Sequence, residues 1–174
     1  MPLDKSELLN FLEELDKELG RKITLIAVGG TAMTLLDLKP STIDIDFTIP
    51  SSDFPEYKRA EKNVPHGHKI DIFLDGCIFS QNLPDDYLAN STELANLEHI
   101  SLRVLHPVDI VVTKIGRLHN RDLKDIEKCI KAYGLKKEQI ENRAANVTYI
   151  GKQEYYDYNL KLVLERFFHS APTH

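Results

Sequence analysis

Ser41-Thr42-Ile43-Asp44-Ile45-Asp46-Phe47-Thr48-Ile49 alternates polar and apolar side chains from Thr42 onward. On a strand, successive side chains point to opposite faces. The stretch therefore predicts a strand with Ile43, Ile45 and Phe47 on one face and Thr42, Asp44, Asp46 and Thr48 on the other. Aspartate is depleted in strands, so two of them side by side on one face need a reason. Lys69 to Leu74 repeats the alternation, with Ile70, Ile72 and Leu74 on one face and Lys69, Asp71 and Phe73 on the other. If the two strands are neighbours, Asp44, Asp46 and Asp71 converge.

Just upstream, Ile23 to Val28 is an apolar run that reads as a buried strand, and Gly29-Gly30 marks a sharp turn. A helix is expected from Thr31 to Leu38, ended by Lys39-Pro40. Three acids crowded together raise one another's pKa, and a hard divalent cation with a preference for oxygen ligands relieves that repulsion. Two such ions roughly 3.5–4 Å apart can hold the attacking and leaving oxygens of an in-line displacement. The expected cofactor is Mg²⁺ or Mn²⁺. The glycine corner supplies the complement, because backbone amides without side chains can approach a phosphate closely. Thr31 could add a hydroxyl hydrogen bond.

Outward from this centre, Asp4 to Leu19 reads as an amphipathic helix and Asp53 to Asn63 as a polar one. Cys77 to Leu97 is weakly patterned, a loop or short strand with a connecting helix. Ile100 to Leu105 reads as a strand. Pro107 can open a helix that continues from Val108 to His119. Further helices are expected over Asp122 to Ala132, closed by Gly134, then near Lys136 to Ala145 and Lys152 to Phe168, with Ser170 to His174 frayed. The fold class is α/β (α+β), a small mixed sheet flanked by helices, strand-rich in front and all-helical behind. Residues 1–106 form the core, and residues 107–174 a helical region packed on it.

Composition is that of an ordinary soluble domain, with 42 % hydrophobic and 28 % charged residues. No apolar run approaches the roughly 20 residues of a membrane span, and a cytoplasmic location follows by default. The net charge of −5 argues against purely electrostatic binding of long nucleic acid. It leaves room for a local basic patch between Lys114 and Arg143. Two cysteines, Cys77 and Cys129, make no disulfide framework and read as free thiols. His66 and His68 lack the companions of a zinc signature and read as loop residues. Tyr149, Tyr155, Tyr156 and Tyr158 read as packing or interface residues before they read as base-stacking ones.

The order strand, Gly29-Gly30, Asp44-x-Asp46, then a lone Asp71 between isoleucines resembles the nucleotidyltransferase superfamily that includes DNA polymerase β. Thirteen residues, Thr31 to Ile43, separate the glycines from Asp44, and Gly30 stands where many members carry serine. The resemblance implies transfer of a nucleoside monophosphate from an NTP to an acceptor hydroxyl. Asp44, Asp46 and Asp71 would ligate metal, and Asp71 would be placed to take the acceptor's proton. Gly29, Gly30 and Thr31 would cradle phosphates.

Leu105-His106-Pro107-Val108-Asp109, Lys114-Ile115-Gly116-Arg117-Leu118 and Arg121-Asp122-Leu123-Lys124-Asp125 look like the tail motif of AbiEii-type toxin nucleotidyltransferases and related uncharacterised prokaryotic families. That likeness implies a helical Lys114 on the triphosphate, Arg117 and Arg121 on phosphate or RNA, and Asp122 or Asp125 in support. It also implies an acceptor that is RNA, such as a tRNA 3′ end, or a protein, and an antitoxin as partner. Two readings compete with it: a module of the same fold that binds nucleotide or partner without catalysis, and i,i+4 surface ion pairs for the charged tail residues.

Overall fold

The computed structural model describes residues 2–169. The elements run α1 (Lys5–Glu18), β1 (Ile23–Ala27), α2 (Gly29–Leu35), β2 (Ile45–Ile49), α3 (Phe54–Glu61), β3 (Ile70–Leu74), β4 (Cys77–Ile78), β5 (Gln81–Asn82), α4 (Tyr87–Asn90), β6 (Thr92–Asn96), β7 (Ile100–Val104), α5 (Pro107–Val112), α6 (Asn120–Tyr133), α7 (Lys137–Ala145), β8 (Thr148–Tyr149) and α8 (Gln153–Phe168). Five strands form a mixed sheet in the order β3-β2-β1-β7-β6. β1 runs parallel to β7 and antiparallel to β2, and β2 runs parallel to β3. The expected fraying of Ser170 to His174 lies outside the described residues.

Local sequence accounts for most of these elements. Asp4 caps α1 by accepting the Glu7 N–H at 2.8 Å. Leu8, Phe11, Leu12 and Leu15, at helical spacing, bury one face of that helix in the core. Gly134 closes α6 in the left-handed conformation, φ 60°. One apolar cluster runs from Leu3 on the N-terminal side to Tyr156 and Val163 in α8. The phenolic O–H of Tyr156, deep in that cluster, donates to the Val112 carbonyl at 2.9 Å.

Three expectations need correction. The polar face expected of β2 is not an exposed one: every residue from Ile45 to Ile49 is buried, Asp46 and Thr48 included, in a strand held between β1 and β3. Asp44 stands just before the strand, and Ile43 is exposed. The helix begun at Pro107 does not reach His119. It stops at Val112, so Lys114 lies in a turn and not on a helix. The reason is tertiary. The Gly116 N–H donates to Gln81 Oε1 at 2.8 Å, and the Asn159 side chain donates to the Ile115 and Gly116 carbonyls. These partners satisfy backbone groups that a continuing helix would pair internally. Gly116 is needed there, since a Cβ would fall 2.5 Å from the Tyr149 ring. Finally, the back half is not all-helical: β8 joins β4 and β5 in a second, three-stranded sheet.

Candidate active site

The acids predicted to converge do so. Asp46 and Asp71 are direct register partners on the parallel β2–β3 pair. Asp44 enters from the residue before β2, and all three line one cavity of 660 Å³. The glycine corner stands at the same mouth. Gly29 has φ +54°, and a Cβ on it would come within 3.1 Å of both Asp46 Oδ2 and the Phe79 ring. A Cβ on Gly30, which also lines the cavity, would meet the Thr42 hydroxyl at 2.8 Å. α2 begins at these glycines, not after them.

Asp46 is the centre of strain. It is 6 % exposed, and its Oδ1 has no hydrogen-bond partner. Burial and the charges of Asp71 and Asp44 push its carboxyl up to about 7, with Lys114 and Arg117 opposing. A buried carboxylate oxygen without a donor is unfavourable, and it is the kind of atom that a cation satisfies. The donor set of three carboxylates fits a hard, oxygen-seeking divalent ion. A second grouping, Asp16, Glu98 and His99, has ligand atoms within 4.8 Å of one another. That second grouping stands at the opposite end of the sheet, where His99 leads into β7 and Asp16 accepts its N–H.

Thr31 has a different job from the one its sequence position suggests. It is fully buried. Its hydroxyl donates to the Asp44 carbonyl at 3.1 Å and accepts the Asp46 N–H at 2.8 Å. The hydroxyl therefore ties α2 to the Asp44–Asp46 segment and does not face the cavity.

The basic residues are arranged in two layers. Lys114, 2 % exposed, reaches Asp125 at 3.0 Å and Asp122 at 3.5 Å. Arg117 grips Asp122 in bidentate fashion, Nε to Oδ2 at 2.9 Å and Nη2 to Oδ1 at 2.8 Å. Burial of Asp122 opposes its ionisation, but Arg117, Lys114 and the His119 N–H outweigh this and hold the carboxyl below its usual range. Asp122 and Asp125 are thus buried, not i,i+4 surface partners: Asp122 anchors Lys114 and Arg117 from behind, and Asp125, at the cavity wall, pairs with Lys114 and with Lys39 at 3.6 Å. Arg121 is exposed and lines the cavity with Lys39 and Lys69.

The sequence reading did not single out Lys39, Lys69, Phe73 or Phe79 as cavity residues. Alternation could have found Lys69 and Phe73, since both share a strand face with Asp71. Nothing in the weak pattern after Cys77 marks Phe79. A larger cavity of 930 Å³ lies between α7 and α8, away from the three acids.

A mixed sheet carrying converging acids at one mouth, beside a glycine corner and a bank of cations, has the architecture of a nucleotidyltransferase domain. Over residues 6–170 the chain matches the family described as "Nucleotidyltransferase of unknown function (DUF6036)", and it belongs to that family. No curated protein and no solved structure matches it. Among the described residues, no helix is long and apolar enough to cross a membrane.

Proposed function

We propose that this protein transfers a nucleoside monophosphate from an NTP to a hydroxyl on an acceptor, an RNA 3′ end or a protein. One observation carries the reading: three carboxylates from two chain segments share a cavity with Lys114, Arg117 and Arg121. Asp44, Asp46 and Asp71 would hold Mg²⁺ or Mn²⁺, which supplies charge neutralisation for the phosphates and the reacting oxygens. Asp71, whose side chain is 37 % exposed, is placed to accept the acceptor's proton. Gly29 and Gly30 let the backbone approach the phosphate tail, with Thr31 positioning the acids from behind. Lys114 stabilises charge that develops in transfer. Arg117 and Arg121 hold phosphate, and Arg121 is the one with a free reach toward a large acceptor.

The run Leu105 to Asp125 supports a likeness to the AbiEii-type toxins, and with it an antitoxin partner. Co-expression with the product of the neighbouring gene, read as loss of growth inhibition, tests that part separately.

The main test incubates the protein with Mg²⁺ and each labelled NTP, with total RNA and total protein as acceptors. Label should pass to one fraction, and Asp44→Asn should abolish it while leaving the melting temperature unchanged or higher. Equal labelling by both proteins would remove this site from the chemistry.

A further inference from the structure

A second cavity, of 530 Å³, opens beside the first and shares Phe73, Phe79 and Arg117 with it. Its character is different. The acid cavity is lined by charges, whereas this one is walled by the rings of Phe73, Phe79 and Tyr149. Phe79 and Phe73 meet edge to face with centroids 5.0 Å apart, and the Arg117 guanidinium lies 4.7 Å from the Phe79 centroid. Phe79 is also within a methyl group's reach of the Asp46 carboxylate, because both approach the missing Cβ of Gly29 at 3.1 Å.

The backbone that carries this ring is unfavourable for it. Two left-handed pairs occur close together in the chain. Asp75 and Gly76, with φ 52° and 79°, are residues that such a turn prefers. Phe79 and Ser80, with φ 52° and 91°, form the two-residue tip of the β4–β5 hairpin and are not. An aromatic residue rarely takes this conformation. The position presents a flat ring to the cavity at a conformational cost that Asn would avoid.

We infer that the aromatic cavity binds the nucleobase of the incoming nucleoside triphosphate, with Phe79 as its stacking wall and Arg117 at the boundary between base and phosphates. This rests on the proposed nucleotidyl transfer. Continuity of the two cavities decides the occupant: a ligand whose polyphosphate lies against the cations and acids next door has its flat, uncharged end within reach of these rings. Base–aromatic stacking tolerates any base, so the wall contributes affinity for nucleotides in general.

The test compares Mg²⁺-NTP, each of the four in turn, with Mg²⁺-tripolyphosphate, by calorimetry on wild type, Phe79→Asn and Phe79→Trp. Phe79→Asn suits the left-handed turn and should keep the fold. It should weaken NTP binding roughly 10-fold or more and leave tripolyphosphate binding unchanged. Phe79→Trp should retain NTP binding. The chain has no other tryptophan, so that variant's fluorescence should be quenched by NTP and not by tripolyphosphate. If both ligands bind but Phe79→Asn changes NTP affinity less than twofold, or NTP fails to quench, the inference falls and the transferase reading stands. If neither ligand binds wild type, the transferase reading falls and takes this one with it.

Discussion

Two groups of charge meet at one cavity, and they are built on opposite principles. Asp44, Asp46 and Asp71 have the same sign, and Asp46 keeps an oxygen with no partner. Lys114, Arg117, Asp122 and Asp125 balance each other, with every contact between opposite signs. Burying charge is unfavourable unless it is paired. The balanced group therefore needs nothing further and acts as scaffold, aiming its cations at the cavity. In the acidic group only Asp71 has a cation beside it, Lys69 at 3.6 Å, and the unpartnered Asp46 oxygen is what the proposed metal would satisfy.

The sharpest way to break this comparison is to remove one acid from each group. Asp122→Ala leaves the buried Lys114 and the half-buried Arg117 with too few partners and removes the His119 N–H acceptor. It should cost about 3–5 kcal/mol in urea denaturation. Asp46→Asn, in the other group, should stabilise the metal-free protein at pH 8. Destabilisation by both would erase the distinction.

The second prediction concerns pH in metal-free protein. Asp46 titrates near 7 when folded against an ordinary value of 3.8, so the folded chain keeps a proton that the unfolded chain has lost. Its contribution is fully present below pH 4, and stability falls as pH rises from about 4 to about 7, by up to about 4 kcal/mol. Asp46→Asn should flatten that part of the profile, and Mg²⁺ should recover stability at the high end. A wild-type profile parallel to the variant's would show that burial and the neighbouring acids do not raise the Asp46 carboxyl.

The smallest effect is expected at Thr31, which joins scaffold to acids. Thr31→Val leaves the Asp46 N–H unpaired and should cost about 1–3 kcal/mol, with Mg²⁺ affinity reduced as the Asp44–Asp46 segment loosens. Unchanged Mg²⁺ affinity by calorimetry would limit Thr31 to a packing role.

Much of the site was legible because it rests on short-range periodicity. Alternation over Ser41 to Ile49 and Lys69 to Leu74 placed Asp46 and Asp71 on matching faces, and the parallel pairing of β2 with β3 brought them side by side. The glycine corner was legible because φ +54° at Gly29 excludes most side chains. The turn at Lys114 is not legible locally, because the bonds that end α5 come from Gln81 and Asn159, both distant in sequence. The inward turn of the Thr31 hydroxyl is not legible, because a threonine after two glycines looks the same whether its hydroxyl turns outward or into the protein.

By itself, the order of residues determined which segments alternate, where the chain must turn and which side chains could hold a cation. Those properties depend on neighbours a few positions away. Only the tertiary structure decided which charges would be balanced. Pairing Lys114 and Arg117 with Asp122 and Asp125, leaving Asp46 without a donor, and setting the Phe79 ring beside its carboxylate all depend on which distant segments exclude water together. Burial, not residue type, determines whether a charge is satisfied.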